Sequence, residues 1–250
     1  MQNRVENKTA LITGVTSGIG KACALALATQ KVNLILVARD TKKLQLLKEE
    51  LSSYNIGIEC IVLDVRERED VKGKLQDIAC DILINNAGLA LGLDALDEGD
   101  IDQWEEMIDA NIKGLLYVSR AILPQMKANN RGHIINVGSI AGRMAYPGGN
   151  VYCATKSAVH SLSESMNLDV MGTMIRVSNV APGAVETNFS NTRLGDDKKA
   201  DAVYEGFEPL KANDIAELIL YILNAPDHVN IQDTLIMPTA QRNPFMLSRD

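Results

Sequence analysis

Short β-branched and aliphatic stretches recur along the chain at near-regular intervals. They are "TALIT" (9–13), "VNLILVA" (32–38), "GIECIVLDV" (57–65), "DILINNA" (81–87), "GHIINVGS" (132–139), "MIRVSNVA" (174–181) and "TLIMP" (234–238). Several are apolar at consecutive positions, the pattern of strands covered on both faces. Between them lie segments of helical periodicity: 21–30, 41–54, 102–129, 157–171 and 213–225. Strand–helix alternation of this kind predicts an α/β fold, a doubly wound seven-stranded parallel sheet flanked by helices. No repeat or Pro/Gly/Ser-rich linker divides residues 1–250, so a single domain is expected. The stretch 184–211, "AVETNFSNTRLGDDKKADAVYEGFEPLK", has no clear period. It reads as a long loop, either a lid or binding loop or a plain surface excursion.

Composition narrows the function. With 46% hydrophobic residues in 250, the chain can bury a sizeable core. A net charge of −7 without a block of Lys or Arg argues against nucleic acid or an anionic membrane as partner. Four scattered cysteines and three histidines without ligand spacing predict neither a disulfide framework nor a metal site. The opening "MQNRVENKTALITG" lacks the apolar core of a signal peptide. No stretch approaches the roughly 20 apolar residues of a membrane span. A cytoplasmic protein acting on a small molecule is the expectation.

The first strand runs straight into "TGVTSGIG", Thr13 to Gly20, and a helix follows. Glycines 14, 18 and 20 allow a tight turn and close approach of backbone to a pyrophosphate, which the helix N-terminus then attracts. Gly14, Thr16, Ser17, Gly18, Ile19 and Gly20 are therefore candidate cofactor-binding residues; a tight turn without a ligand is the alternative. After the second strand comes "VARDTKK". Arg39 can clamp a ribose 2′-phosphate, which favours NADP over NAD. Asp40 lies where an NAD-selective acid is expected, but it equally suits the N-cap of the next helix.

"TGVTSGIG", "NNAG" (85–88), Ser139, "YCATK" (152–156) and "PGAVET" (182–187) occur in order over nearly the whole chain. Together they resemble the short-chain dehydrogenase/reductase family, which implies a Rossmann fold. "NNAGLALG", "AYPGGNVYCATK", "NFSNTRLGDD" and "APDHVNIQDTLIMPTAQ" are similar to its NADP-dependent 3-hydroxy acid dehydrogenases, of the serine, L-allo-threonine and 3-hydroxypropionate type. Members of that group often carry a second arginine where this chain has Asp40, and "GRMA" (142–145) lacks their tryptophan. The resemblance implies that Asp64, with Val65 beside it, accepts from the adenine amine, although Asp64 can also cap the next helix. It implies that Asn86, Ala87 and Gly88 flank the adenosine, that Pro182, Gly183 and Val185 meet the nicotinamide amide, and that Thr187 reaches the pyrophosphate. Lys156 would hold the nicotinamide ribose, Asn111 would position a water for proton relay, and the assembly would be a homotetramer.

Tyr152 and Lys156 stand four apart and share a helix face. A tyrosine normally keeps its proton up to about pH 10. A neighbouring ammonium and the oxidised nicotinamide should lower that value, making Tyr152 the acid/base group. Ser139, past the fifth strand, would hydrogen-bond the substrate oxygen. Tyr–Lys pairs also decorate many helix surfaces; the serine and the glycine loop give this one its meaning. Arg193 is the candidate for a substrate carboxylate, against the alternatives of exposure or pairing with Asp196 or Asp197. Arg143 is the second candidate. The expected function is NADP-dependent oxidation of a small 3-hydroxy acid, or reduction of the matching carbonyl. The alternatives are a reductase of another ketone or 3-oxoacyl thioester, and a non-catalytic NADP-binding redox sensor.

Overall fold

In a computed structural model, which describes residues 3–196 and 202–250, each of the seven apolar runs contributes a strand to one parallel sheet. The strands are β1 (Thr9–Thr13), β2 (Asn33–Ala38), β3 (Ile58–Val62), β4 (Ile82–Asn85), β5 (Gly132–Val137), β6 (Ile175–Pro182) and β9 (Asp233–Ile236), in spatial order β3-β2-β1-β4-β5-β6-β9. Two short strands, β7 (Val185–Glu186) and β8 (Leu210–Lys211), pair separately. The helices are α1 (Gly18–Thr29), α2 (Thr41–Leu51), α3 (Arg68–Leu75), α4 (Ile101–Ile108), α5 (Leu115–Ala128), α6 (Asn150–Asp169), α7 (Phe189–Leu194) and α8 (Ala212–Leu223).

Successive strand residues point to opposite faces, so consecutive apolar positions feed two cores. Ala10, Ile12, Leu34, Leu36, Ile82 and Ile84 face α1, α2 and α8. Leu11, Ile35, Val37, Leu83, Ile134 and Val177 face α3, α5 and α6. Each such Leu or Ile stabilises the fold by about 1.5–3 kcal/mol. Ala22, Ala24 and Ala28 keep α1 slim against the Ile215, Ile219 and Ile222 face of α8. The chain winds outward from β1 to β3, then returns to β4 on the other side of β1. That reversal opens a crevice at the C-terminal strand ends, where ligands of such sheets bind.

Three expectations need correction. The helical stretch 102–129 is broken: α4 ends at Ile108, Asp109–Gly114 is π-helical, and α5 begins at Leu115. The third and fifth strands stop at Val62 and Val137, short of the runs that announced them. The stretch 184–211 is not one structureless loop, since it holds β7, α7 and β8. Among the described residues no helix is long and apolar enough to cross a membrane.

Candidate active site

The turn from β1 to α1 is shaped from β4. Asn86 Nδ2 donates to Thr13 O (2.9 Å) and Gly14 O (3.0 Å), and Thr13 Oγ1 accepts from the N–H groups of Asn86 (3.1 Å) and Ala87 (3.0 Å). The glycines are required by this proximity. Gly14 has φ 65°, and a Cβ there would lie 2.9 Å from Ala87 Cα. At Gly20 a Cβ would sit 2.5 Å from both Asn86 Nδ2 and Gly14 O. Ser17 precedes α1 without a side-chain cap, and no acidic residue stands in the first turn. The leading N–H groups are therefore directed at an anion, with Thr16 and Ile19 in the same turn. Thr187 closes the far side, its Cγ2 3.4 Å from where a Gly18 Cβ would be. These residues fit the pyrophosphate of a dinucleotide.

At the end of β2, Arg39 is 60% exposed, with Asp64 3.7 Å away. Asp40 caps α2: its Oδ1 accepts from the N–H groups of Lys42 (2.9 Å) and Lys43 (3.0 Å). Of its two readings the helix cap is the one the geometry contains. Asp64 also has partners: the Arg66 guanidinium donates to both its oxygens, from Nε at 3.1 Å and Nη2 at 2.7 Å. Burial pushes this carboxyl up, but the Arg66 bonds and the Arg39 charge outweigh it and hold it below its ordinary value. The helix cap suggested for Asp64 is absent, because Glu67 occupies the N-cap of α3. Val65 is buried beside it, against Gly114.

Beyond β4, Gly88 leaves space that side chains converge upon. A Cβ there would lie 2.8 Å from Asn111 Oδ1 and 3.7 Å from Lys156 Nζ. Asn111, in the π-helical turn, is fully committed: Oδ1 accepts from Leu89 N–H (2.8 Å), and Nδ2 donates to Leu89 O (2.8 Å) and Thr155 Oγ1 (3.0 Å). Asn85 ties strands, donating to Asn136 Oδ1 of β5 (2.9 Å) and to Ser119 Oγ (3.0 Å).

Tyr152 and Lys156 sit in the first turns of α6, each 8% exposed. Lys156 Nζ donates to Val137 O at the end of β5 (2.9 Å) and lies 6.0 Å from the Tyr152 ring centroid. Burial lowers the Lys156 pKa to about 8. Ser139 begins the turn Ile140–Gly142, its Oγ accepting from Ala141 N–H (3.1 Å), which leaves the hydroxyl proton to donate. Burial pushes the Tyr152 phenol up and Tyr146 adds to this, while hydrogen bonding from Ser139 and the charge of Arg193 act the other way and lose. Among the chain's own groups desolvation outweighs the neighbouring cations; the expected acidification also draws on the positive charge of the oxidised nicotinamide.

Arg193, on α7, is brought into this site. Its guanidinium carbon lies 5.4 Å from the ring centroid of Tyr152 and 5.4 Å from that of Tyr146. Nη1 donates to Tyr146 Oη (2.6 Å) and Nε to Gly92 O (3.2 Å), while Gly92 N–H donates back to Arg193 O (3.1 Å). Nη2 is buried without a hydrogen-bond partner. Asp197, one of the partners considered for Arg193, lies outside the described residues. Arg143 must be withdrawn as a carboxylate ligand, because its guanidinium is paired with Asp233 of β9. Pro182 closes β6 opposite Ile236, Gly183 N–H donates to Ile236 O (2.8 Å), and Val185 O accepts from Tyr204 (2.8 Å), so this segment lines the β6 side of the crevice.

The model of the short chain dehydrogenase family matches residues 8–198. The chain is a short-chain dehydrogenase. This dehydrogenase is 44% identical over 247 residues to the NADP-dependent 3-hydroxy acid dehydrogenase of Schizosaccharomyces pombe, covering 96% of this chain and 95% of that one. It is 42% identical over 248 residues to sulfoacetaldehyde reductase 2 of Chromohalobacter salexigens, covering 96% and 98%. In three dimensions the dehydrogenase is similar to the closed form of serine dehydrogenase complexed with NADP+, with TM-score 0.91 and 39% identity over 97% of this chain and 99% of that one.

Several residues of the dehydrogenase's site were not singled out in the sequence. Tyr146 and Phe189, whose ring centroid lies 5.7 Å from that of Tyr152, give no local signal because each is a lone aromatic in irregular sequence. Thr13 and Gly92 act through backbone proximity that only the fold creates. Arg66 was readable in part, as a cation two residues past Asp64 at a strand end.

Proposed function

We propose that this short-chain dehydrogenase is an NADP-dependent oxidoreductase of small 3-hydroxy acids, interconverting them with the corresponding carbonyl compounds. The observation that carries this reading is Arg193: a guanidinium stacked on the acid/base tyrosine with Nη2 buried and unbonded. An unpaired buried donor is costly, and an anionic substrate would satisfy it. Arg39, exposed and aimed past the end of β2, supports NADP, as do the relatives named for that cofactor.

When bound, the nicotinamide supplies hydride transfer and, oxidised, a positive charge. The chain supplies the rest. The glycine loop and the α1 N-terminus hold the pyrophosphate, Arg39 the 2′-phosphate and Lys156 the ribose. Ser139 donates to the substrate oxygen. Tyr152, kept protonated by burial, is ready to give its proton in reduction. For oxidation it must act as the phenolate, the form that the Arg193 charge across its ring favours. Since both ends of the Asn111 side chain are committed, a relay water would meet its main-chain carbonyl. The reading extends to a cytoplasmic homotetramer. Four unpaired thiols agree with a reducing compartment, and Ile108, Leu116 and Leu168, apolar yet exposed on α4–α6, agree with self-association.

Reduced-nicotinamide absorbance with NADP or NAD, over a panel of 3-hydroxy acids, neutral alcohols, ketones and thioesters, tests the reading. Turnover of hydroxy acids with NADP is expected. Preference for neutral carbonyls would move the assignment to a general reductase, and tight NADP binding without turnover would make the protein a sensor. Sulfoacetaldehyde belongs in the panel, because Arg193 suits a sulfonate as well and one relative carries that name.

A further inference from the structure

We propose that Tyr146 is a specificity-determining residue, the second donor of a two-point clamp that grips the substrate's anionic group together with Arg193 Nη2. The assignment rests on the reading of Arg193 as the substrate-anion ligand and adds a partner to it.

Of the five Arg193 N–H bonds, that of Nε is used by Gly92 O and one of the two on Nη1 by Tyr146 Oη, while Nη2 has no partner. Gly92 O closes the side-on Nε/Nη2 fork and Tyr146 Oη occupies one Nη1 proton, so a carboxylate on Nη2 has its second oxygen placed towards Tyr146. Tyr146 Oη accepts from Nη1, so its own proton points elsewhere. Burial raises the Tyr146 pKa, so the group is a neutral phenol and hence a donor at physiological pH. Cys153 is its other hydrogen-bonding neighbour, and a thiol is a weak acceptor that a carboxylate would displace. The Arg193 guanidinium carbon lies 5.4 Å from the ring centroids of both Tyr146 and Tyr152, so Tyr146 borders the site of the reacting phenol. A hydroxyl and a guanidinium N–H₂, joined through the 2.6 Å bond, thus present two donors to one anion beside the acid/base group. The two rings, each 5.4 Å from the guanidinium carbon, hold the cation between them and fix its angle.

The test is Tyr146→Phe, which keeps the ring over Arg193 and removes only the hydroxyl. We compare kcat/KM for the carboxylate substrate and for its uncharged amide. Loss of a hydrogen bond to a charged group should make the drop for the carboxylate about tenfold or more larger than the drop for the amide, mainly through KM. Tyr146→His, which restores a ring donor, should regain part of the discrimination. Equal losses for both substrates would show Tyr146 to be a structural support only and overturn the assignment. Arg193→Ala separates the two layers. If it leaves the preference for carboxylate over amide intact, the reading of Arg193 fails. If it removes the preference while Tyr146→Phe does not, only the Tyr146 assignment falls.

Discussion

Lys156→Met should yield an inactive protein that is more stable than the parent at neutral pH, by an amount that shrinks as pH rises. In the unfolded chain a lysine keeps its proton to about pH 10.5; in the folded protein burial brings Lys156 to about 8. Below the folded value both states are protonated, and the native state bears the full penalty of an ammonium away from water. Between the two values the unfolded chain holds a proton that the native one has released, so stability rises with pH. A shift of that size corresponds to roughly 3 kcal/mol at pH 7. Methionine fills similar volume without charge. Its cost is the bond to Val137 O, about 1 kcal/mol and independent of pH. The variant should therefore lead by about 2 kcal/mol at pH 7. Urea unfolding of both proteins, without added cofactor and at one protein concentration, supplies the measurement. Between about pH 7 and pH 9.5 the lead should fall by about 2 kcal/mol. A difference that does not move with pH would refute the reasoning, whatever its sign.

Gly20→Ala drives a Cβ to 2.5 Å from Gly14 O, a backbone atom that cannot swing away. It should cost about 1–3 kcal/mol, lower the melting temperature by several degrees and weaken cofactor binding in a fluorescence titration. Gly73→Ala, in α3 with nothing near its missing Cβ, should instead stabilise by about 0.5–1 kcal/mol in the same melts. Tyr152→Phe should reduce turnover by about a hundredfold or more with little change in cofactor affinity, and retained activity would remove its acid/base role. Arg39→Ala should weaken NADP far more than NAD in competition binding. Asp40→Ala should lower the melting temperature through loss of the α2 cap yet leave that preference alone.

The sheet was legible because its inner strands are buried on both faces, so runs such as "VNLILVA" stand out without any knowledge of partners. The glycine loop and the Tyr152–Lys156 pair were legible because their spacing is imposed by local geometry, a tight turn and one helical repeat, whereas Ser139 lies in a separate turn and was read from its place past the fifth strand. Residues 184–211 were not, since two-residue strands and a six-residue helix carry too few positions to show a period. Arg143 and Arg193 look alike in sequence; only the fold decides that one meets Asp233 and the other Tyr152. The protonation of Tyr152 divides in the same way. Proximity of a cation can be read from an i,i+4 pair, whereas the depth of burial that overrides it belongs to the whole packed site.

The Asn86 bonds to Thr13 and Gly14 carry a consequence for how the protein acquires its cofactor. The donor lies 73 residues beyond the first carbonyl it holds. During synthesis the glycine loop and α1 emerge well before β4, and until β4 docks the loop's backbone is held only from β2, through Val37 O and the Gly14 and Val15 N–H groups. Nucleotide capture therefore follows assembly of β1 against β4 rather than seeding it. A ligand that binds only the finished cradle adds RT ln(1 + [L]/Kd) to the stability of the native state. Cellular cofactor supply would then govern how long each molecule survives proteolysis, as well as how fast it turns over.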